Sequence, residues 1–171
     1  MPNWCVNTVV VRHSDPAKIE ELKSVITNDV FFEHVLPIGD WEYNKAIDTW
    51  GTKWEASNLS WMKFPDGRTG NDYLELSFET AWCPPENVYA KMVENGWKVE
   101  AYFYEPGMGF VGKYGTDLDG LYEESYQINE EPIPAELVEM FNIQDMFDDS
   151  EYELVDNGDG FYEVQEIDNA D

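Results

Sequence analysis

Cysteine and histidine are scarce in this chain. It holds Cys5 and Cys83, and His13 and His34, among 171 residues. Two cysteines cannot build a disulfide framework, and no Cys-x-x-Cys pairs with histidines at zinc-ligand spacing. No run of 18 apolar residues is present, so no membrane-crossing helix is expected. The opening Met1-Pro2-Asn3-Trp4 lacks the basic and apolar regions of a secretory signal, and a cytoplasmic location is the expectation. No Gly-x-Ser-x-Gly and no phosphate-cradling Gly-x-x-x-x-Gly-Lys loop occurs, and no Ser or Cys stands in a recognisable motif with a His. No cofactor, metal or catalytic residue is expected from these patterns.

Basic residues are the most informative shortage. Ten Lys and Arg face 36 Asp and Glu, a formal net charge of −26. Residues 1–113 carry 17 acids and 10 bases, whereas residues 114–171 carry 19 acids and no base. Such a field repels nucleic-acid phosphates and anionic lipid and attracts basic protein surfaces. Two readings fit it: a solvated tail that aids solubility, or an acidic surface for a basic partner. In either case no binding to single- or double-stranded nucleic acid is expected at physiological salt, since each phosphate contact needs a Lys or Arg. Micromolar affinity in an anisotropy titration would overturn this.

What is abundant is apolar and aromatic: 43% of residues are hydrophobic and 15% are Phe, Trp or Tyr, enough to bury a core. Trp4 to Arg12 reads as a buried strand through Val6, Val9, Val10 and Val11. A helix follows, capped by Asp15 with Pro16 in its first turn and Ile19, Leu22, Val25 and Ile26 on one face. Phe31 to Ile38 reads as an irregular apolar link, and about Trp41 to Trp50 as a short helix closed by Gly51. Strands are expected over Asn58 to Phe64 and Tyr73 to Phe78, with a turn at Pro65-Asp66-Gly67 between them. A helix opened by Pro84-Pro85 and ended at Gly96 then leads to a strand over Trp97 to Tyr104.

The order β-α-(α)-β-β-α-β predicts an α+β, ferredoxin-like βαββαβ antiparallel sheet with an inserted short helix. Its boundaries are 1–113, and 114–171 form an acidic extension of hairpin, helix and hairpin. Phe110 to Lys113 and Leu121 to Ile128 suit the first hairpin. A helix from Pro134 to about Phe147 puts Leu137, Met140, Phe141 and Phe147 on one side and Glu136, Glu139 and Asp145 on the other. Tyr152 to Ile167 suits a second hairpin around Asn157-Gly158-Asp159-Gly160. The extension is expected to pack on the core through Phe110, Leu137, Phe141 and Phe147.

Several strings then appear in a familiar sequence: Met1-Pro2-Asn3-Trp4-Cys5 with Asn7, Trp50-Gly51-Thr52-Lys53-Trp54, Thr80-Ala81-Trp82-Cys83-Pro84-Pro85, and Tyr104-Glu105-Pro106-Gly107 with Phe110 and Gly112. Together they resemble the YubB-like family of plasmid and phage proteins over roughly residues 1–113. That family typically has Ser at the place of Cys83, and a Gly after the first strand where this chain has His13-Ser14. The resemblance implies a ferredoxin-like fold and a mobile-element origin rather than an activity.

Two sets of candidate residues emerge. Trp50, Lys53, Trp54, Trp82, Glu105 and Phe110 suit a pocket for a small planar or anionic ligand, or else core packing with at most a Lys53–Glu105 salt bridge. Glu136, Glu139 and Asp145 suit contact with a basic host protein, with anti-defence nucleic-acid mimicry as the sharpest form of that reading. Tyr73, Tyr102 and Tyr104 suit a base-stacking sheet face, but Glu75, Glu79 and Glu100 beside them oppose RNA. Asn157, Asp159, Gly160 and Glu166 match part of a calcium loop, yet Val155 stands at its first ligand position, and a plain turn is favoured.

Overall fold

The computed structural model describes residues 2–62, 72–147 and 151–167. It is an α+β fold built on a six-stranded antiparallel sheet. The strands are β1 (Trp4–Arg12), β2 (Ser57–Trp61), β3 (Tyr73–Ala81), β4 (Lys98–Glu105), β5 (Phe110–Thr116) and β6 (Leu121–Gln127), in spatial order β2-β3-β1-β4-β5-β6. The far end of the expected second strand, at Phe64, and the turn Pro65-Asp66-Gly67 lie outside the described residues.

Strict alternation decides the faces of β1. Cys5, Asn7, Val9 and Val11 are buried while Val6, Thr8 and Val10 are half-buried on the reverse. The buried set meets Leu74, Leu76 and Phe78 of β3 and Val99, Ala101 and Phe103 of β4. Four helices close this layer: α1 (Pro16–Thr27), α2 (Phe31–Val35), α3 (Tyr43–Trp50) and α4 (Glu86–Glu94). The Asp15 side chain caps α1 by accepting from Ala17 N at 2.9 Å, and Pro16 stands in its first turn. Gly51 ends α3 in the left-handed conformation, φ 84°. The segment expected as an irregular link holds α2 instead. Glu55 makes that possible, since its carboxylate accepts from Phe32 N at 2.7 Å and Glu33 N at 3.0 Å, satisfying donors that a five-residue helix leaves orphaned.

One polar knot sits inside the core. The Asn7 amide donates to Thr80 Oγ1 at 2.9 Å and to Cys5 O at 3.0 Å, and its oxygen accepts from Tyr89 Oη at 3.0 Å. Thr80 Oγ1 donates onward to Cys83 O at 2.7 Å. All three side chains are fully buried and fully satisfied, which ties β1, β3 and α4 to one register.

The reverse face carries a second apolar cluster. Val111, Ile128, Ile133, Leu137, Val138, Ile143, Phe147 and Leu154 are buried together, with Tyr102, Tyr104, Tyr126 and Phe141 packed against them. They come from β5, the ends of β6 and the last third of the chain: β7 (Ile133–Pro134), α5 (Ala135–Met140), the 3-10 turn Ile143–Phe147, β8 (Tyr152–Asp156) and β9 (Phe161–Glu166). The last strands form a small sheet in the order β7-β9-β8. The helix expected to run from Pro134 to Phe147 breaks at Asn142, whose φ of 48° is left-handed and cannot continue a right-handed helix. Met140 is 41% exposed rather than inward. Phe110 does not join this cluster. It lies one residue out of phase with Val111, so it points to the helical layer and meets Phe103 edge-on at 6.2 Å. Residue 113 falls within β5, which continues to Thr116 and brings Tyr114 against Tyr89. No helix is long and apolar enough to cross a membrane among the described residues.

Candidate functional site: an aromatic sheet end and an acidic cover

Both β3 and β4 run antiparallel to β1 and flank it. They are therefore parallel to each other, and both end where β1 begins. Trp4 pairs with Ala81, and Val6 with Tyr104. Trp82 N donates to Asn3 O at 2.9 Å, and Thr52 Oγ1 donates to Ala81 O at 2.8 Å, so the loop after α3 is pinned to the same end. All four strings that carried the family resemblance therefore meet at one end of the sheet.

At that end Lys53 lies among rings. Its Nζ stands 4.3 Å from the Trp54 centroid, 5.3 Å from Trp82 and 5.7 Å from Tyr43. These are cation–π distances. Among the described residues Lys53 has no carboxylate within ion-pair reach. Trp54 also faces Trp4 at 6.1 Å, and Trp41 donates from Nε1 to Lys53 O at 3.0 Å. Trp4, Trp41 and Trp54 line an open hollow of about 490 Å³ with Glu55, Ala56 and Ser57. Trp41 is 52% exposed. Trp82 holds φ at 72°, a rare backbone for so bulky a residue, in the turn that aims its ring at Lys53.

The structure thus joins Lys53, Trp54 and Trp82 and separates the rest of the first set. Trp50 is a core residue, edge-on to Phe32 at 5.7 Å with its Nε1 donating to Leu36 O at 2.8 Å. Glu105 is fully buried, and its two carboxylate oxygens accept from Gly107 N and Met108 N, each at 2.7 Å. It clasps its own loop and makes no salt bridge with Lys53. A side chain at Gly107 would overlap the Asn3 amide and approach Glu105, which accounts for glycine there. Phe110 faces the helices. Trp4, Trp41 and Tyr43 belong to the cluster and were not among the residues singled out. The signal was present in strand polarity, since two strands antiparallel to a common neighbour must end together.

Burial raises two thiols and one carboxyl near this end. Burial, with Glu86 adding to it, pushes the Cys83 thiol above its ordinary value, and its Sγ donates to Gly51 O at 2.9 Å. Burial also raises the Cys5 thiol, and nearby Cys83 adds to that. Burial holds the Glu55 carboxyl above the usual carboxylate range, although three backbone N–H donors pull the other way. No group of three or more His, Cys, Asp or Glu able to hold a metal ion occurs among the described residues. The turn at 157–160 is closed by Asp156 and Asp159 accepting from Gly158 N and Phe161 N.

The second candidate set lies on the cover over the reverse face. Glu136, Glu139 and Asp145 are all exposed, while Leu137, Val138 and Ile143 between them point inward. Glu136 is already paired, with Lys113 Nζ 2.9 Å away, and Lys113 also lies 3.5 Å from Glu124. The cover meets the sheet at Tyr104, whose ring is 5.6 Å from Phe141 and whose Oη is 3.4 Å from Met146 Sδ. Tyr102 and Tyr104 are thus in or beside the covered region. Tyr73 lies outside this second cluster, beneath the Arg12 guanidinium at 4.8 Å.

No family model matches the chain, and no curated protein matches it. Among solved structures the chain is similar to protein api92 from Yersinia pseudotuberculosis, described with the family model DUF1281. Identity is 18% and the TM-score 0.40, over 53% of this chain and 31% of that one, so this chain spans under a third of that protein's length.

Proposed function

We propose that the protein is a non-enzymatic interaction protein of the YubB-like, phage- or plasmid-borne kind, whose acidic cover engages a basic site on a host protein. Anti-defence action as a nucleic-acid mimic is the sharpest form of the proposal. The observation that carries it is the second apolar cluster. Leu137, Val138, Ile143 and Leu154 anchor the described part of the acidic third of the chain to the sheet, so the carboxylates there, Glu136, Glu139 and Asp145 among them, are carried on a packed frame. A tail serving solubility alone needs no such anchors. The strand order β2-β3-β1-β4 with α1 and α4 on one face supports a ferredoxin-like core, to which β5 and β6 add an edge. The alternative of a Trp/Lys/Glu ligand pocket has less support, since Glu105 spends its carboxylate on the amides of Gly107 and Met108.

The test is association kinetics with a partner captured from host lysate. Raising salt from 0.1 M to 1 M shortens the Debye length from about 10 Å to about 3 Å, and the on-rate should fall on the order of tenfold or more. Neutralising Glu139 and Asp145 with Glu136 should lower the on-rate in the same sense, with Glu136 contributing least because Lys113 already offsets it. An on-rate indifferent to salt would sink the reading.

A further inference from the structure

We infer that the hollow between Trp4, Trp41 and Trp54 receives an arginine side chain from the basic partner, so that the aromatic end anchors what the acidic cover attracts. The inference rests on the acidic-surface reading above and names the contact that gives it grip.

Three observations support a cationic occupant. The first is Lys53, which in a chain of 36 acids is held by the faces of Trp54, Trp82 and Tyr43 and by no carboxylate among the described residues. These ring faces hold one ammonium group already, and Trp54 also borders the hollow. The second is the lining, in which the three indoles come with Ala56 and Ser57 and no basic side chain, while the bordering Glu55 carboxylate is already taken by the amides of Phe32, Glu33 and Ala56. The third is position. Tyr104, paired with Val6 two residues from Trp4, touches Phe141 and Met146 of the cover. The hollow and the part of the cover at Phe141 and Met146 thus share one end of the sheet.

Arginine suits the site better than lysine. Its planar guanidinium stacks on an indole and is shed of water more readily than an ammonium group. A volume of about 490 Å³ falls within the range of ligand clefts, roughly 300–1,000 Å³. A half-exposed Trp41 beside two partly buried indoles is also the composition in which interface energy concentrates.

The probe is a short Gly/Ser peptide holding three arginines, with the same peptide carrying neutral citrulline as control. On titration of the full chain, the indole N–H resonances of Trp41 and Trp54 should shift, and only with the arginine form. Trp41→Ala, at a half-exposed position, should weaken binding about five- to tenfold, mostly through faster dissociation, while the Trp54 indole signal and the melting temperature of the free chain stay near those of the parent. Lys53→Met should tighten it a few-fold by removing a like charge behind Trp54. Binding that persists with unmoved indole signals and an unaffected Trp41→Ala variant would overturn this inference and leave the acidic-surface reading standing. Equal binding of the citrulline peptide would overturn it too, since the hollow would then take planar groups regardless of charge. A wild-type chain that binds neither peptide would remove both readings.

Discussion

Leu137→Ala is expected to cost about 2–5 kcal/mol, and the loss should fall on the acidic cover rather than on the whole molecule. Leu137 is fully buried at the centre of the second cluster, among Val111, Ile133, Val138 and Ile143. Deleting its isobutyl group leaves a cavity that a six-residue helix and a 3-10 turn are poorly placed to collapse around. The layer beneath has its own closure, with the Asn7–Thr80–Tyr89 knot and the Phe31, Phe32 and Phe78 ring cluster on the other side of the sheet. Hydrogen exchange should therefore show lost protection through residues 133–147 while the β1 and β3 amides keep theirs. Equal loss in both regions would mean the two layers unfold as one unit. The variant also bears on function: if display of carboxylates on a fixed frame is what binds the partner, loosening the frame should weaken binding without altering a single charge.

How much of this was legible in the sequence follows from the range of the interactions involved. The strands centred on Val9, Leu76 and Ala101 were readable because alternation is a local pattern that burial on one face enforces. The α1 cap was readable because Asp15 and Pro16 carry their reason within three residues. The helix break at Asn142 was not, because Leu137 to Phe147 keeps an apolar rhythm while the chain changes direction to seat Ile143. Phe110 packs on the core, but against the helical layer and not beside Leu137, Phe141 and Phe147, because one residue of phase in a strand inverts its face and its pairing with Glu105 sets that phase. At the candidate site, Lys53, Trp54 and Trp82 were chosen on residue type and did come together. Trp50 and Glu105 shared the type but not the place. Their partners, Leu36 O for one and the amides of Gly107 and Met108 for the other, are backbone groups that no side-chain pattern announces.

Glu105 supplies the most decisive contrast between a ligand group and a structural one. Its carboxylate is inaccessible to solvent and takes the amides of Gly107 and Met108 at 2.7 Å each, while its own carbonyl accepts from Gly109 N at 3.0 Å. Gly109 O in turn accepts from Ile128 N at 2.8 Å, carrying the turn's geometry to the end of β6 and the second cluster. Alanine at 105 empties a fully buried position and removes the charged acceptor of two part-buried amide hydrogen bonds, each worth about 1–2 kcal/mol, so Glu105→Ala should lose roughly 2–4 kcal/mol in urea unfolding. Glu105→Gln keeps one acceptor oxygen but turns the other position into a donor facing a donor, and it should fall between alanine and the parent. At temperatures where the glutamine variant stays folded, its affinity for the basic partner should match that of the parent chain, because the carboxylate never reaches the surface. A carboxylate that served a ligand would show the reverse ordering, with stability held and binding lost. Measuring both quantities on the one glutamine variant separates the two roles: a stable chain that no longer binds would put Glu105 back in a pocket, and with it the Lys53 and tryptophan cluster as a ligand site.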